Sequence, residues 1–555
     1  MNRIVACINK RKMEIDSNTK VGSLAVSPTN NSGITYIGAL VNNDVVSLSY
    51  PLTVNSDITF LTMADANGWR IYRRSLCFLL AKAALDVFPG SKLTVEHSFG
   101  LGLYCRFRQK PRGKEGINAR DLRKIEKRMH DLVTKNLQIE RKKISYMDAV
   151  RQFADSDQQD KLNLLKYRNP PRIVVYECDG FTDLAHAPLA SSTAMLTPFK
   201  LIPYKPGFVL HLADKTNPDV IPPFEDQPGL FRIYQEHKQW GKILGVSYTG
   251  KLNEIIFKGE IETFIRTAEA LHEKKLSNIA DLISSKHKDI KIILIAGPSS
   301  SGKTTFAKRL TTHLMVNGLK PVTLSTDDYF LGEDKNPLGP DGKPDFEHIE
   351  AVDLKQFNKD LLNLIKGKEI DVPRFNFEKK KREYYGEKMS IGSENLIIIE
   401  GIHGLNPRLT QMIPQKNKFK IYISALTQLC LDSHNRISTT DNRLMRRLIR
   451  DFKFRAHSAL STLRLWPSVR SGEKTWIFPY QNEADATFNS ALDYELAVLK
   501  PYVEPLLMQV KPSDPEYAEA RRLSGFLMNF IGTSDIAVPS NSILREYIGG
   551  STFKY

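Results

Sequence analysis

Residues 1–62 set apolar positions in short runs broken by turn signals, Asn30-Asn31-Ser32-Gly33 and Asn42-Asn43, and predict a small β-rich module. From residue 70 to 88 the spacing lengthens. Ile71, Leu76, Leu79, Leu80, Ala83, Ala84 and Val87 recur at helical intervals and predict a helix with one buried face. A second, basic helix is predicted over Ala119–Asn136 with Asn118 as its cap. The proline-rich stretch 198–228 reads as loop and boundary, and Glu260–Ser284 as a helix. Beyond it, the run Ile290–Ala296, apolar apart from Lys291, reads as a buried strand, and Phe306–Val316 is amphipathic. Pro321–Thr326 and Asn395–Ile399 predict two more strands. Neither internal repeats nor low-complexity tracts interrupt the pattern.

Between the run at 290–296 and the amphipathic stretch lies Gly297-Pro298-Ser299-Ser300-Ser301-Gly302-Lys303-Thr304, which fits GxxxxGK[ST]. In that context the glycines let backbone N–H groups turn inward around phosphate oxygens. Lys303 reaches the terminal phosphates, and the Thr304 hydroxyl can hold Mg²⁺ at a helix start whose dipole favours anions. Thr305 follows as a further candidate contact. An ATP site with Mg²⁺ is the expectation.

Length adds organisation: 555 residues predict roughly three to four domains at about 100–200 residues each, so half the chain lies ahead of the loop. An apolar content of 41% with 9% aromatics is globular, and no stretch approaches the ~20 apolar residues a membrane helix needs. The start MNRIVACINKRKMEID reads as no export signal, which gives a cytoplasmic expectation. Cys7, Cys77, Cys105, Cys178 and Cys430 are scattered, with no CxxC pair, and are expected reduced; no zinc is expected. A net charge of +17 suits polyanionic company, nucleotide phosphates or RNA, or solvated helix faces. In the run Arg120–Lys143 the basic residues alternate with Asp121, Glu126, Asp131 and Glu140, which favours a salt-bridged face over RNA binding.

Three acidic or basic sites complete the phosphate chemistry. The strand 321–326 delivers Asp327 and Asp328 to its C-terminal end, where open α/β sheets bind ligands, and a carboxylate there can accept the proton of an attacking hydroxyl. The strand 395–399 ends in Glu400, placed to reach a metal with Thr304 and Asp327. Arg443, Arg446, Arg447 and Arg450 fall largely on one side of a helix, with Arg455 after them, and suit a lid over phosphates.

In order, GPSSSGKTT, LSTDDYF (324–330), PDFEHIEAVD (344–353), VPRFNFEKKKR (372–382), IIIEGIHGL (397–405) and RLMRRLIRDFKFR (443–455) resemble the uridine kinase and phosphoribulokinase group. The resemblance implies Asp327 as the catalytic acid, with Lys303, Arg446 and Arg450 also catalytic, and Arg446, Arg450 and Arg455 as lid or ATP-side arginines, Arg455 binding ATP. It implies Glu347 on the ribose hydroxyls, Phe330, Phe346 and Phe375 as walls of a nucleobase, and Lys380 and Arg382 at the acceptor. The pattern departs from uridine kinases at Phe375-Asn376-Phe377 and at Lys380, which replaces a histidine. Lysine offers only donors, so pyrimidine discrimination is altered or absent.

Residues 1–62, ending GALVNNDVVSLSYPLTVNSDITFLT, resemble a TGS module, and residues 63–225 resemble the editing domain of threonyl-tRNA synthetases, through Trp69–Ala84, Ile117–Phe153 and Asp179–Ile202. That editing site needs HxxxH and a Cys/His pair. Arg74, Phe78, Ala185 and Leu189 stand there instead, and His186 is a lone neighbour, so deacylation is not expected.

The expected fold is multidomain: a β-grasp-like TGS module (1–62), an α+β editing-like domain (63–225), a linker and helix (226–285), an α/β P-loop kinase domain with a mainly parallel sheet (286–510) and a tail (511–555). The expected activity is phosphorylation of a small-molecule hydroxyl, first the 5′-hydroxyl of a nucleoside. The alternatives are a kinase of a sugar phosphate or hydroxy acid, and a nucleotide-switched regulator that binds RNA or ribosome. Oligomeric state is left open.

Overall fold

The computed structural model of the protein describes residues 3–109, 116–339, 342, 344–376, 379–392 and 395–554. Phe377 lies outside the described residues. The first unit is a sheet of β1 (Arg3–Ile8), β2 (Arg11–Asp16), β3 (Tyr36–Val41), β4 (Asp44–Val46) and β5 (Ser56–Thr62) in the order β2-β1-β5-β3-β4. Its central pair β1 and β5 is parallel and the other pairings are antiparallel. Ala6, Val21, Ala39, Val41, Leu52 and Ile58 form its core.

The second unit opens with α1 (Ala66–Val87), the helix whose spacing was apparent in the sequence. It continues through β6 (Lys92–Phe99), β7 (Gly102–Gln109), α2 (Ala119–Thr134), β8 (Glu140–Ser145), α3 (Tyr146–Asp155), α4 (Gln159–Leu165), β9 (Arg172–Cys178), β10 (Phe181–Leu184), β11 (Phe199–Tyr204) and β12 (Gly207–Leu212). The Asn118 side chain accepts from Asp121 N and caps α2. Two sheets result, β10-β9-β8 and β11-β12-β7-β6. The stretch read as loop from 198 therefore holds the hairpin β11–β12. Prolines 198 and 206 stand before its first strand and in its turn, where no ladder donor is needed, and β12 is buried along its whole length.

Three helices, α5 (Pro228–Leu244), α6 (Thr249–Phe257) and α7 (Ile261–Ser284), lead into the third unit. Its sheet has β13 (Ile292–Ala296), β14 (Lys320–Ser325), β17 (Asn395–Glu400), β18 (Lys418–Ser424) and β19 (Ala486–Asn489), ordered β14-β17-β13-β18-β19 and parallel throughout. β13 is apolar without alternation because helices cover both faces, as in doubly wound sheets. A two-stranded antiparallel ribbon, β15 (Ile370–Asn376) with β16 (Lys381–Met389), projects from it. The helices are α8 (Lys303–Val316), α9 (Leu354–Ile365), α10 (Thr439–Phe454), α11 (Ala459–Trp476), α12 (Glu495–Leu507), α13 (Tyr517–Leu527) and α14 (Arg545–Ile548). Phe306, Leu310 and Leu314 of α8 share one core with Ile265, Leu276 and Ile283 of α7 and with Leu523, Leu527, Ile543 and Tyr547. Residues 511–554 are thus packed into the kinase-like core by their apolar side chains.

The second and third units meet through charges. Lys161, fully buried, pairs with Asp183, which also bonds His434 Nδ1 at 2.6 Å. His186 Nε2 lies 3.0 Å from the buried Asp432 carboxylate. Arg70 on α1 pairs with Glu519 on α13, whose neighbour Arg522 pairs with Asp441 at the start of α10. All five cysteines are free thiols, and no helix among the described residues is long and apolar enough to cross a membrane.

Candidate active site

The phosphate loop runs from the end of β13 into α8. Gly302 has φ +84° and Ser300 φ +57°, the left-handed values that turn successive N–H groups to one side of the loop. A Cβ on Gly297 would stand 2.2 Å from the Ile423 carbonyl, so the loop can leave β13 against β18 only with glycine there. The Ser300 and Ser301 hydroxyls are buried without a hydrogen-bond partner among the described residues, as expected of groups that await phosphate oxygens. The Lys303 ammonium donates to the Pro298 carbonyl at 3.4 Å and so folds back along the loop.

Oxygen donors gather below Lys303. The Thr304 and Ser325 hydroxyls each donate to Glu400 Oε1 at 3.3 Å. Burial pushes Glu400 up to about 7, with the neighbouring Asp327 charge adding to it and Lys303 opposing. Burial likewise raises Asp327, against the pull of Lys303, Arg455 and Arg450. Two carboxylates, the charge of Asp327 raising Glu400, beside a hydroxyl are a donor set of hard oxygens, which fits Mg²⁺ held jointly with phosphates. The described residues contain no cluster of His, Cys, Asp and Glu that would hold a metal ion alone. Asp328 turns the other way: it accepts from Arg374 Nη1 at 3.0 Å and from Phe375 N at 3.2 Å, and ties β14 to the ribbon.

The arginines of α10 divide into two groups. Arg443 and Arg446 are 1% and 0% exposed. Arg443 pairs with the buried Glu473 of α11 and donates to the Ser299 carbonyl at 2.9 Å, while Glu473 also accepts from Ser299 N at 3.1 Å. Arg446 donates through Nε to Glu495 at 2.7 Å and through Nη1 to the Ser300 carbonyl at 3.4 Å. These two side chains therefore brace the loop from behind, where the sequence reading puts Arg446 in a lid. Arg447 donates to the Ser299 hydroxyl at 2.9 Å, and Arg447, Arg450 and Arg455 surround the Asp451 carboxylate at 3.0, 3.5 and 3.6 Å. Arg450 charge, then burial, lowers Arg455 to about 10. From the second group, the charges of Arg455 and Arg450 act on Asp327.

The residues that the sequence reading assigns to the acceptor are aromatic, with one acid and two basic side chains. Phe330, Phe346 and Phe375 meet edge to face, with centroids 5.6 Å apart for 330–375, 6.0 Å for 330–346 and 6.3 Å for 346–375. Glu347 follows on the same loop, its Oε2 buried without a partner among the described residues. Burial pushes it up to about 7; Arg447 and Lys303 oppose, and Glu473 and Asp327 add. Lys380 points outward and pairs with Glu333 at 2.7 Å, and Lys379 pairs with Glu383 at 3.0 Å. Arg382 pairs with Asp353 at 3.0 Å and keeps Nη1 buried and unpartnered among the described residues. Thr305 is taken from within the chain: its hydroxyl donates to Glu546 Oε2 at 2.7 Å and its N–H to the same oxygen at 3.3 Å. Sequence reasoning missed Glu473, Glu495 and Glu546, because nothing in local spacing marks a carboxylate whose partner lies in a remote segment.

The four positions that the sequence reading compares with an editing site are filled by packed side chains. Phe78 and Leu189 are buried in the core of the second unit, Ala185 packs against that core, and Arg74 donates to the Pro188 carbonyl at 2.8 Å.

Residues 292–497 match the model of the Phosphoribulokinase / Uridine kinase family, so this segment is a P-loop kinase domain of that family. The N-terminal region is similar to curated threonine–tRNA ligases. It is 33% identical over 163 residues to that of Vesicomyosocius okutanii subsp. Calyptogena okutanii (29% of this chain, 25% of the ligase). It is 28% identical over 194 residues to that of Syntrophotalea carbinolica (34% of this chain, 29% of the ligase). The chain thus spans about a quarter of the length of those relatives. Among solved structures, a possible uridine kinase from Bacillus stearothermophilus aligns with TM-score 0.26 and 15% identity, over 38% of this chain and 97% of that one. D-glycerate 3-kinase from Cryptococcus neoformans var. grubii aligns with TM-score 0.21 and 16% identity, over 46% of this chain and 87% of that one.

Proposed function

We propose that the protein transfers the γ-phosphoryl group of ATP to a hydroxyl of a small neutral acceptor, with the 5′-hydroxyl of a nucleoside as the first candidate. The observation that carries this reading is the meeting of four features in one site: the phosphate loop, Asp327 raised at a strand end, Glu400 opposite Thr304, and the aromatic trio with Glu347. The loop N–H groups and Lys303 bind the phosphates, and Arg450 and Arg455 take up charge that develops on the transferring group. Asp327, with its proton affinity raised by burial, accepts the acceptor O–H proton as that oxygen bonds to the γ-phosphorus and the bond to the bridging oxygen of ADP breaks. Mg²⁺, when bound, neutralises phosphate charge; Thr304, Glu400 and Asp327 would hold it.

The ion pairs of Lys379 and Lys380 favour a neutral acceptor over a sugar phosphate or hydroxy acid, because both ammonium groups are already matched by Glu383 and Glu333. Arg382 Nη1 is the donor left for the acceptor. Residues 1–225 serve in this reading as a TGS-like and editing-like scaffold that binds or regulates without deacylation. The alternative of an RNA-linked nucleotide switch is weakened by Lys124–Asp121, Arg128–Asp86 and Lys142–Glu177, which match three cations of the basic run with carboxylates of the run, of α1 and of β9.

The test is ADP formation from Mg·ATP against nucleosides, sugar phosphates and small hydroxy acids, with Asp327→Asn alongside. Turnover with a neutral nucleoside that falls at least 10³-fold in the variant is expected. Turnover unchanged in Asp327→Asn would remove that role, and turnover only with anionic acceptors would overturn the acceptor class.

A further inference from the structure

From the far end of the chain, Glu546 meets the start of α8. Its carboxylate is 9% exposed and accepts both the hydroxyl and the backbone N–H of Thr305, in the first turn of the phosphate-binding helix. The first N–H groups of a helix have no intrahelical partner, and in a phosphate loop they form the anion cradle. One donor of that cradle is therefore satisfied from inside the protein. The surrounding segment is fitted to the loop as well. A Cβ on Gly302 would stand 2.5 Å from Ile543 Cγ2, and Tyr547 lies 5.2 Å beneath the guanidinium of Arg446, which itself donates to the Ser300 carbonyl.

Two mechanical readings are open to such a contact, a releasable brake and a fixed wall. Release would require the segment to come away cheaply. Ile543, Leu544, Tyr547 and Ile548 are all 3% exposed or less and belong to the core shared by α7, α8 and α10. Polar anchors hold it on every side: the Ser542 hydroxyl on Glu269 of α7, Lys453 Nζ of α10 on the Ile548 carbonyl at 2.5 Å, and Arg545 on Asp535 at 2.8 Å. Pulling it out would empty a core and leave buried polar groups unmatched. A fixed wall is what remains.

We infer that Glu546 is a positioning residue of the nucleotide site: it holds Thr305 so that the helix start, and with it the loop from Ser299 to Thr304, is set before nucleotide arrives. The C-terminal segment is then a built part of the phosphate cradle. Glu546 also adds to the negative charge that pushes Glu400 up, consistent with its place at the edge of the cation-binding oxygens. The inference rests on the nucleotide-site reading and concerns binding, so it is tested without any acceptor.

The experiment is calorimetric titration of the full chain with Mg·ADP. Glu546→Ala is expected to weaken binding about tenfold, Glu546→Gln to stay within about threefold because its amide oxygen still accepts from Thr305, and Thr305→Val to weaken binding as Glu546→Ala does. In the double variant the losses do not add, since one residue acts through the other. Wild-type protein that fails to bind Mg·ADP would defeat the nucleotide-site reading itself. Wild-type binding with an unchanged or tightened Glu546→Ala, or additive losses in the double variant, would overturn this inference alone. Should Glu546→Ala fail to fold, Glu546→Asp draws the carboxylate back by one methylene; the same tenfold loss is expected, and unchanged affinity overturns the inference.

Discussion

Glu347 is the residue at which stability and chemistry are most directly opposed. Burial favours the protonated form of its carboxyl, Glu473 and Asp327 add to this and Arg447 and Lys303 oppose, so that it moves from 4.5 to about 7. A group raised in this way favours the folded state below its unfolded value, and that contribution is lost as pH climbs through about 7. Glu347→Gln should therefore melt higher than wild type at about pH 8, with the gap closing towards about pH 4.5 in thermal unfolding monitored across that range. On the proposed reading the same substitution also removes, above about pH 7, an ionised carboxylate that would accept from a substrate hydroxyl, so acceptor KM measured at about pH 8 should rise about tenfold. Equal melting temperatures at all pH values would show that Glu347 is solvated in the folded protein.

On the scale of the element, α10 does two jobs with one row of arginines. Arg443 and Arg446 face inward and hold the Ser299 and Ser300 carbonyls, and Arg447, Arg450 and Arg455 gather on Asp451 at the open side. Breaking a buried pair leaves an uncompensated charge, so Glu495→Ala should cost roughly 3–5 kcal/mol in chemical denaturation. Arg450→Ala, which leaves a partly exposed site, should cost under about 1 kcal/mol but slow phosphoryl transfer at least tenfold. Losses of equal size in stability for the two variants would contradict the division. The spacing of these arginines, the strands that end in Asp327 and Glu400, and the loop between β13 and α8 were all legible, because each is a local periodicity or a contiguous motif. The roles of Arg443 and Arg446 were not legible. Glu473, Glu495 and Glu546 decide them, or the loop they brace, from 30, 49 and 241 residues away from Arg443, Arg446 and Thr305. The hairpin β11–β12 was hidden for a different reason: its prolines read as loop, although they occupy positions where a strand tolerates them.

Across the whole molecule, the second unit is joined to the segment that feeds α10. Lys161, Asp183 and His434 form a buried network there, and Arg70, Glu519, Arg522 and Asp441 a second one. Burial works against the Asp183 charge, but Lys161 and His434 more than offset it and hold the carboxyl well below its usual range. Its stabilising contribution is present above about pH 4 and is lost only as pH falls further. Asp183→Asn strands the Lys161 charge and should destabilise the protein by roughly 3–5 kcal/mol at neutral pH. It should also raise amide exchange in residues 430–436, and unchanged exchange there would mean the two units are not coupled through this network. This junction gives the synthetase-like half a physical route to the phosphate loop, since the start of α10 is at one end of it and Arg443 and Arg446 follow within two turns. The account as a whole depends on what happens to the γ-phosphoryl group. The most direct measurement is the fate of ³²P from γ-labelled ATP in the presence of a nucleoside, with the product position read by NMR. Label on the acceptor hydroxyl, in step with ADP formation, is the predicted result; label released only as inorganic phosphate, whatever acceptor is supplied, would contradict it.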